Sequence, residues 1–499
     1  AAPSSTNGNI TVTATFSESV TGFDSSDLTV GNAVVTSFSG SGATYNFLLT
    51  PLLNNPVTVQ VLAGASQDAA GNTNSDSNTL SRTYDAIQPT VTLTSATTNP
   101  TNGAIAVTAT FSENVTGFDD TDVTVTNATV GAVAGSGTTY TFTVTPTIGV
   151  GAAGTVTIQV PINKAIDSAT NQNSASNTLS YSVDKVAPTV ALTSATTDPT
   201  NGTILVTATF SKSVTGFTSS SVATTSANVS AVAGSGATYA FNVAPTTAAG
   251  AAGTVTIQIA ASAGQDSAGN NNTASNTLSF SIDKVVPTVA LTSASPDPTS
   301  SSVTIAVIFS ESVTGFDAAD FTLSNGTVSS VTGSGDTYSV VIAPTVAAQS
   351  TGTLSIQVNA SRARDTAGNT NTVGSNTLTR SIDMRGPTVT LTSAAAATVT
   401  SSFAVTATLS LASADFTSGD VSVTGGTVAN FSAGSSTSYT FDVVPDAQQA
   451  SPGLISISVA AGTMTGSALG NANTVSNTLT RTATALTQSW STTLTSSDA

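Results

Sequence analysis

Four segments of this chain are nearly the same sentence written four times: Pro89-Thr-Val-Thr-Leu-Thr-Ser-Ala96, Pro188-Thr-Val-Ala-Leu-Thr-Ser-Ala195, Pro287-Thr-Val-Ala-Leu-Thr-Ser-Ala294 and Pro387-Thr-Val-Thr-Leu-Thr-Ser-Ala394. Their spacing is 99, 99 and 100 residues. That period is too long for a helical solenoid repeat and suits an immunoglobulin-like sandwich. It divides the chain into tandem domains of ordinary size, 1–85, 86–184, 185–283, 284–383 and 384–481, with 482–499 left as a linker and a C-terminal strand. Within a repeat, Thr, Ser, Val and Ala dominate, turn signals recur about every 8–12 residues, and no stretch shows a helical period. The fold expected is all-β, five tandem immunoglobulin-like β-sandwiches in an extended rod of about 200 Å, taking about 40 Å per sandwich.

The second unit illustrates the strand pattern. Alternating runs at 91–95, 104–111, 122–130, 139–146, 154–160 and 177–183 predict six strands, with a weaker one near 130–133 ahead of Gly135-Ser-Gly137. Val91 and Leu93 share one face while Thr92 and Thr94 share the other, as in strands with a single buried side. Phe111, Phe210 and Phe309 close the second strand of their units, with Phe16 and Leu409 at the same place in the first and fifth, and Tyr45, Tyr140, Tyr239, Tyr338 and Tyr439 recur. An aromatic at one place in every unit is core packing. A sugar-binding face would need surplus exposed rings, and the single Trp, Trp490, lies in the tail.

Charge and missing residue types narrow the function. The 27 acids against 10 bases give a net charge of −17, so no basic surface is available for a nucleic-acid backbone. There is neither Cys nor His, which removes disulfides, thiolate and imidazole metal sites, and every catalytic triad built on imidazole. A paired-carboxylate enzyme is also disfavoured, because Glu113 and Asp119 recur in units one and four and vanish in three and five, as loop acids do and a single active site does not. No apolar run reaches membrane-spanning length. Ala1-Ala2-Pro3 reads as the start of a mature secreted protein after signal-peptide removal.

The chain resembles the bacterial Ig-like domain repeats of secreted adhesins and biofilm matrix proteins. The resemblance rests on Phe-Ser-Glu-x-Val-Thr-Gly-Phe-Asp after the second strand, on Asp-x-Ala-Gly-Asn at 68–72, 266–270 and 365–369, and on Ser-Asn-Thr-Leu before the last strand. It implies surface-exposed adhesive or matrix arrays without an active site, and says little about function beyond that.

The ends of the chain depart from the repeat. When the first unit is registered on Phe16-Ser-Glu-Ser-Val-Thr-Gly-Phe23, Ala1 falls opposite Ala96, so the first domain lacks an opening strand of its own. Beyond Asn477-Thr-Leu-Thr480, the segment Ser489-Trp-Ser-Thr-Thr-Leu-Thr-Ser496 resembles an opening strand that has no domain to open. Trp490, Thr492 and Leu494 would share a face, with Leu494-Thr-Ser496 matching Leu93-Thr-Ser95. An incomplete sandwich invites strand addition. The expectation is a secreted subunit that polymerises with itself head to tail, tail into incomplete first domain, as an extracellular filament. The alternative is a stalk segment of a large surface adhesin that spaces a binding tip from the cell.

A second expectation concerns the junctions. Acids of two loops at the entry end of each sandwich meet the preceding linker: Asp85, Glu113, Asp119 and Asp167 at the first junction, Asp283, Glu311, Asp317 and Asp365 at the third, and Glu18, Asp24 and Asp68 at the open end of unit one. Clustered oxygens suit a hard cation, Ca²⁺ above all, which would stiffen the junction. Two junctions serve as internal controls. Unit three has Lys212, Thr218 and Ser221 at these places, leaving Asp184 and Asp266, and there the Lys can replace the ion; unit five has Leu411, Thr417 and Ser467, leaving Asp383 and Asp420.

Overall fold

The computed structural model describes residues 5–447 and 453–484. Every domain is a two-sheet sandwich, and the second shows how the sequence builds it. Domain 1 contains β1 (Ser5–Thr6), β2 (Ile10–Val20), β3 (Leu28–Gly31), β4 (Ala33–Pro51), β5 (Pro56–Val61) and β6 (Leu80–Tyr84). Domain 2 contains β7 (Val91–Thr94), β8 (Ile105–Val115), β9 (Thr124–Thr126), β10 (Ala128–Val130), β11 (Ala134–Pro146), β12 (Ala153–Gln159) and β13 (Leu179–Asp184). In domain 2 the sheets run β10-β11-β8-β7 and β13-β12-β9. Side chains of alternating burial on both inner faces close one core, with Leu93, Ile105, Val144, Val156 and Ile158 nearly solvent-free.

The run expected as one strand over 122–130 is two. Asp120–Asp122 is a short 3₁₀ turn, β9 pairs with β12 in one sheet, and β10 pairs with β11 in the other. The crossover falls on Asn127, whose backbone is left-handed at φ 53° and whose side-chain amide donates to the Thr155 carbonyl at 2.9 Å. Asn tolerates that conformation better than most residues, so it can turn a strand from one sheet to the other. The Gly135-Ser-Gly137 stretch is not a break. It lies inside β11, where the register against β8 shifts between Gly137 and Thr139.

The aromatics form a recurring cluster. Phe111, Phe118 and Tyr140 meet edge to face at 5.3–5.8 Å, and the Tyr140 hydroxyl donates to the Val115 carbonyl at 2.9 Å. Tyr45, Tyr239, Tyr338 and Tyr439 make the same bond in their own domains. Buried Tyr needs such a partner, and these rings belong to the core.

The chain divides into two compact units, residues 1–196 with 203–246 and 255–279, and residues 197–202 with 247–254 and 280–499. The first holds domains 1 and 2 and the sheet of domain 3 formed by Val190–Thr193, Ile204–Val214, Ala233–Pro245 and Ala227–Val229. The second holds domains 4 and 5. In domain 4, Val289–Thr292, Val303–Val313 and Gly326–Pro344 face Phe321–Ser324, Thr351–Val358 and Leu378–Asp383. Domain 5 carries its own opening strand, Val389–Thr392, paired with Phe403–Leu409.

Candidate functional site: an open sheet edge and the junction carboxylates

In domain 2 the opening strand β7 lies antiparallel to β8, with Val91 opposite Phe111 and Leu93 opposite Ala109. Three polar groups of the domain hold it. The Asn177 side chain clasps Leu93, donating to its carbonyl at 3.0 Å and accepting its N–H at 2.8 Å. Ser112 accepts the Thr90 N–H on its hydroxyl at 3.0 Å and donates its own N–H to the Thr90 carbonyl at 2.9 Å. Ser174 N–H donates to the Pro89 carbonyl at 2.9 Å. The Asn clasp recurs as Asn276 on Leu192, Asn376 on Leu291 and Asn477 on Leu391.

Domain 1 has the residues of the clasp, and among the described residues no strand lies in it. Its β2 pairs with β4 on one side, and among the described residues no strand lies on the other. Ser17, Ser75 and Asn78 stand where Ser112, Ser174 and Asn177 stand in domain 2, and the Asn78 amide has no hydrogen-bond partner among the described residues. Beside them runs a groove of about 430 Å³, lined along its apolar floor by Val12, Ala14, Phe16, Phe47, Val59 and Leu80. Burial differs accordingly among the described residues. Ala109 is 0% and Phe111 3% exposed, whereas Ala14 and Phe16 are only half-buried. Ahead of β2, Ser5 and Thr6 of β1 pair in parallel with Thr83 and Tyr84 of β6, as Thr101 does with Val183 in domain 2. Trp490, Thr492, Leu494 and Ser496, the residues expected to supply the strand, lie outside the described residues.

The junctions bring together part of the predicted carboxylate set. One carboxylate oxygen from each of Asp85, Glu113 and Asp167 lies within 4.8 Å of the others, and the same holds for Asp283, Glu311 and Asp365. Each triad is built alike. The loop acid, Asp167 or Asp365, is buried and fixed by its own loop, accepting from the Asn171 or Asn369 N–H and side-chain amide at 2.7–2.8 Å. That same Asn amide also donates to the linker carbonyl, Asp85 at 2.8 Å and Asp283 at 2.9 Å, locking linker to loop. Glu113 and Glu311 come from the ends of their second strands, and both are pushed above the usual carboxylate range by burial and then by the two neighbouring acids. Glu311 Oε1 is buried with no hydrogen-bond partner. A buried, unpaired carboxylate oxygen facing two more acids is costly as an anion, and either a proton or a shared cation relieves that cost.

The other predicted ligands do not join these triads. Asp24, Asp119 and Asp317 each cap a 3₁₀ turn, accepting from the N–H of Ser26, Thr121 and Ala319 at 2.7–2.8 Å while their own N–H is taken by Asp27, Asp122 and Asp320. Asp68 is turned into its own loop by Ala70, Asn72 and the Asn72 side chain. Neither it nor Glu18 belongs to an acidic group among the described residues.

At the second junction an ammonium group stands in the equivalent place. Lys212 Nζ lies 2.7 Å from Asp184 Oδ2, 3.2 Å from Asp266 Oδ2 and 2.6 Å from the Val186 carbonyl. Burial opposes its charge, yet the two carboxylates hold the Lys212 pKa above its ordinary value. At the fourth junction Leu411 replaces the Glu, and Arg385 makes a two-pronged pair with Asp383 at 2.7 and 2.9 Å that lowers the Asp383 pKa to about 2. Sequence reasoning missed the Asn residues that do the locking. The available signal was the Asn four residues after each loop Asp, at Asn171, Asn270 and Asn369.

The repeated sandwich and its junctions agree with the sequence relationships. The model of the bacterial Ig-like domain matches residues 2–84, 85–183, 184–282, 283–382 and 383–497, and the chain belongs to that family. No curated protein matches it in sequence. Among solved structures it is similar to invasin, a bacterial integrin-binding protein, at 14% identity over 80% of this chain and 79% of that one, with a TM-score of 0.29. It is also similar to a tetra-tandem repeat from the extending region of a large adhesion protein, at 16% identity over 79% of this chain and 99% of that one, with a TM-score of 0.24. No helix among the described residues is long and apolar enough to cross a membrane.

Proposed function

We propose that this chain is a non-enzymatic structural protein of the bacterial exterior, a subunit that assembles head to tail into a filament. Residues 489–496 of one copy, with Trp490, Thr492 and Leu494 on one face, complete domain 1 of the next. The observation that carries this reading is the edge of β2, beside which no strand lies among the described residues, with its groove and the unpartnered Asn78 amide, in a chain whose other domains fill that place with a strand of the same pattern. Burying Leu494 contributes about 1.5–3 kcal/mol, and each backbone bond of the new ladder about 0.5–1.5 kcal/mol. Kinetic persistence of a strand embedded in a sheet adds to that. Intact protein should form fibres visible by electron microscopy, and protein lacking residues 485–499 should remain monomeric. Fibres from the truncated protein would refute the proposal.

A second reading, a stalk segment that spaces an adhesive tip from the cell, draws support from the serial domains and their interlocked linkers. The same junction chemistry serves either role. Ca²⁺ held by Asp85, Glu113 and Asp167, and by Asp283, Glu311 and Asp365, neutralises each triad and ties linker to domain. All the donors are hard oxygens, and Lys212 supplies a positive charge in the equivalent position of the junction that lacks the Glu. Ca²⁺ titration followed by calorimetry should reveal sites lost in a Glu113→Gln, Glu311→Gln double variant. Equal binding by the double variant would remove calcium from the account.

A further inference from the structure

The groove of domain 1 does more than accept an apolar strand; its polar groups fix which residue goes where. We infer that domain 1 is a register-reading site for residues 489–496 of a second copy, seating them antiparallel to β2 with Leu494 opposite Ala14, Thr493 opposite Thr15 and Thr492 opposite Phe16. This rests on the strand-exchange reading above and specifies its geometry.

The register follows from residues already placed. Ala14, Thr15 and Phe16 occupy the positions of Ala109, Thr110 and Phe111, which pair with Leu93, Thr92 and Val91. Matching Leu494-Thr-Ser496 to Leu93-Thr-Ser95 puts the Leu494 backbone at the Asn78 amide, the Ser491 backbone at Ser17 and the Trp490 carbonyl at the Ser75 N–H. Each of these contacts repeats one that holds the opening strand of domain 2. A one-residue slip would turn Leu494 to solvent and drive Thr493 and Thr495 into the apolar floor. A two-residue slip keeps the faces but leaves the Asn78, Ser17 and Ser75 contacts with the wrong partners and moves Leu494 away from Ala14. The small Ala14, flanked by Val12 and Phe16, leaves room for one branched side chain at that point.

The occupant comes from a second copy for a reason internal to domain 5. Its opening place is taken by Val389–Thr392, clasped by Asn477 through Leu391, so residues 489–496 have no vacancy in their own domain. From Ala485 to Ser497 the tail carries no charge, as a strand destined for a sheet interior requires.

The absence of native cysteine makes the register directly readable. Full-length Thr15→Cys and Thr493→Cys proteins are mixed, allowed to assemble and mildly oxidised, alongside a mixture of Thr13→Cys with Thr493→Cys. The expected result is a covalent dimer from the first mixture and little from the second. Asn78→Ala should speed exchange of labelled subunits about tenfold, since two hydrogen bonds are lost. Crosslinking through Thr13, equal crosslinking in both mixtures, or unchanged exchange in Asn78→Ala would overturn the register while leaving strand exchange standing. Fibres that need residues 485–499 yet form neither crosslink would overturn the register as well. A groove filled from within its own chain would give no intermolecular product in either mixture and no fibres, which would overturn both proposals.

Discussion

Among the described residues, domain 2 has an opening strand beside its second strand, and domain 1 has none at that place. Domain 2 closes Val91 and Leu93 over Ala109 and Phe111 and pins them with Asn177, Ser112 and Ser174; domain 1 keeps Asn78, Ser17 and Ser75 in place over a groove. The difference teaches that the polar clasp is part of the domain and not of the strand it holds. The receiving geometry is encoded by the second strand and by the loop before the last one, so a strand from any source with the right alternation can complete it.

Four changes would break or sharpen that comparison. The largest effect is expected at the buried leucine. Leu93→Ala should destabilise domain 2 by about 2–5 kcal/mol in thermal or denaturant unfolding, while Leu494→Ala should leave the unassembled protein's stability unchanged and shorten or abolish fibres. Equal loss of monomer stability in both variants would contradict the idea that residue 494 acts outside its own domain.

Lys212→Glu comes next, because it writes a third carboxylate triad at the junction that now uses an ammonium. Without calcium it should cost about 1–2 kcal/mol, between the values for exposed and buried pairs. Added Ca²⁺ should restore that loss, read as a calcium-dependent rise in melting temperature absent from the parent junction. A variant indifferent to calcium would show that the native triads are not cation sites either.

Asn177→Ala should cost domain 2 about 1 kcal/mol, the net value of the hydrogen bonds lost from Leu93. Asn78→Ala should be silent in unassembled protein, since its amide has no partner there among the described residues. Unfolding midpoints of the two variants, measured on the protein lacking 485–499, make the test.

The smallest effects are expected with pH, and their signs differ between junctions. The folded-state pKa values of Glu113 and Glu311 are raised, by burial and then by neighbouring acids, so the metal-free triads should gain stability as pH falls through those raised values. Asp383 is lowered, chiefly by its hydrogen bonds from Arg385, so its contribution is present above its ordinary 3.8 and is lost as pH falls through about 2. Differential scanning calorimetry from neutral pH downward, with and without Ca²⁺, separates the two.

Much of this was legible in the sequence. The 99-residue period and the Val91/Leu93 alternation specify a sandwich, because one-sided burial leaves a period-two trace. The acids of the two triads could be named from loop position alone: Asp85, Glu113, Asp167 and their counterparts Asp283, Glu311, Asp365. Their neighbours Asp119 and Asp317 could not be told apart from them, since an Asp two residues before a backbone N–H serves equally as a cap, and only the fold decides. The crossover at Asn127 was hidden for a related reason: 122–130 alternates throughout, and a single left-handed residue redirects it. The clasp of Asn177 on Leu93 joins residues 84 apart, a distance over which no local pattern speaks.

The central claim is that another copy's tail covers the free edge of β2. In domain 2, Ser112 points its N–H at the opening strand, and the ladder's alternation aims Thr110 and Thr108 the same way. The corresponding amides in domain 1 are Thr13, Thr15 and Ser17. Hydrogen exchange of these three, compared between protein lacking 485–499 and assembled full-length protein, should be fast in the first and strongly protected in the second. Protection that is the same in both would mean that the edge is never completed by the tail.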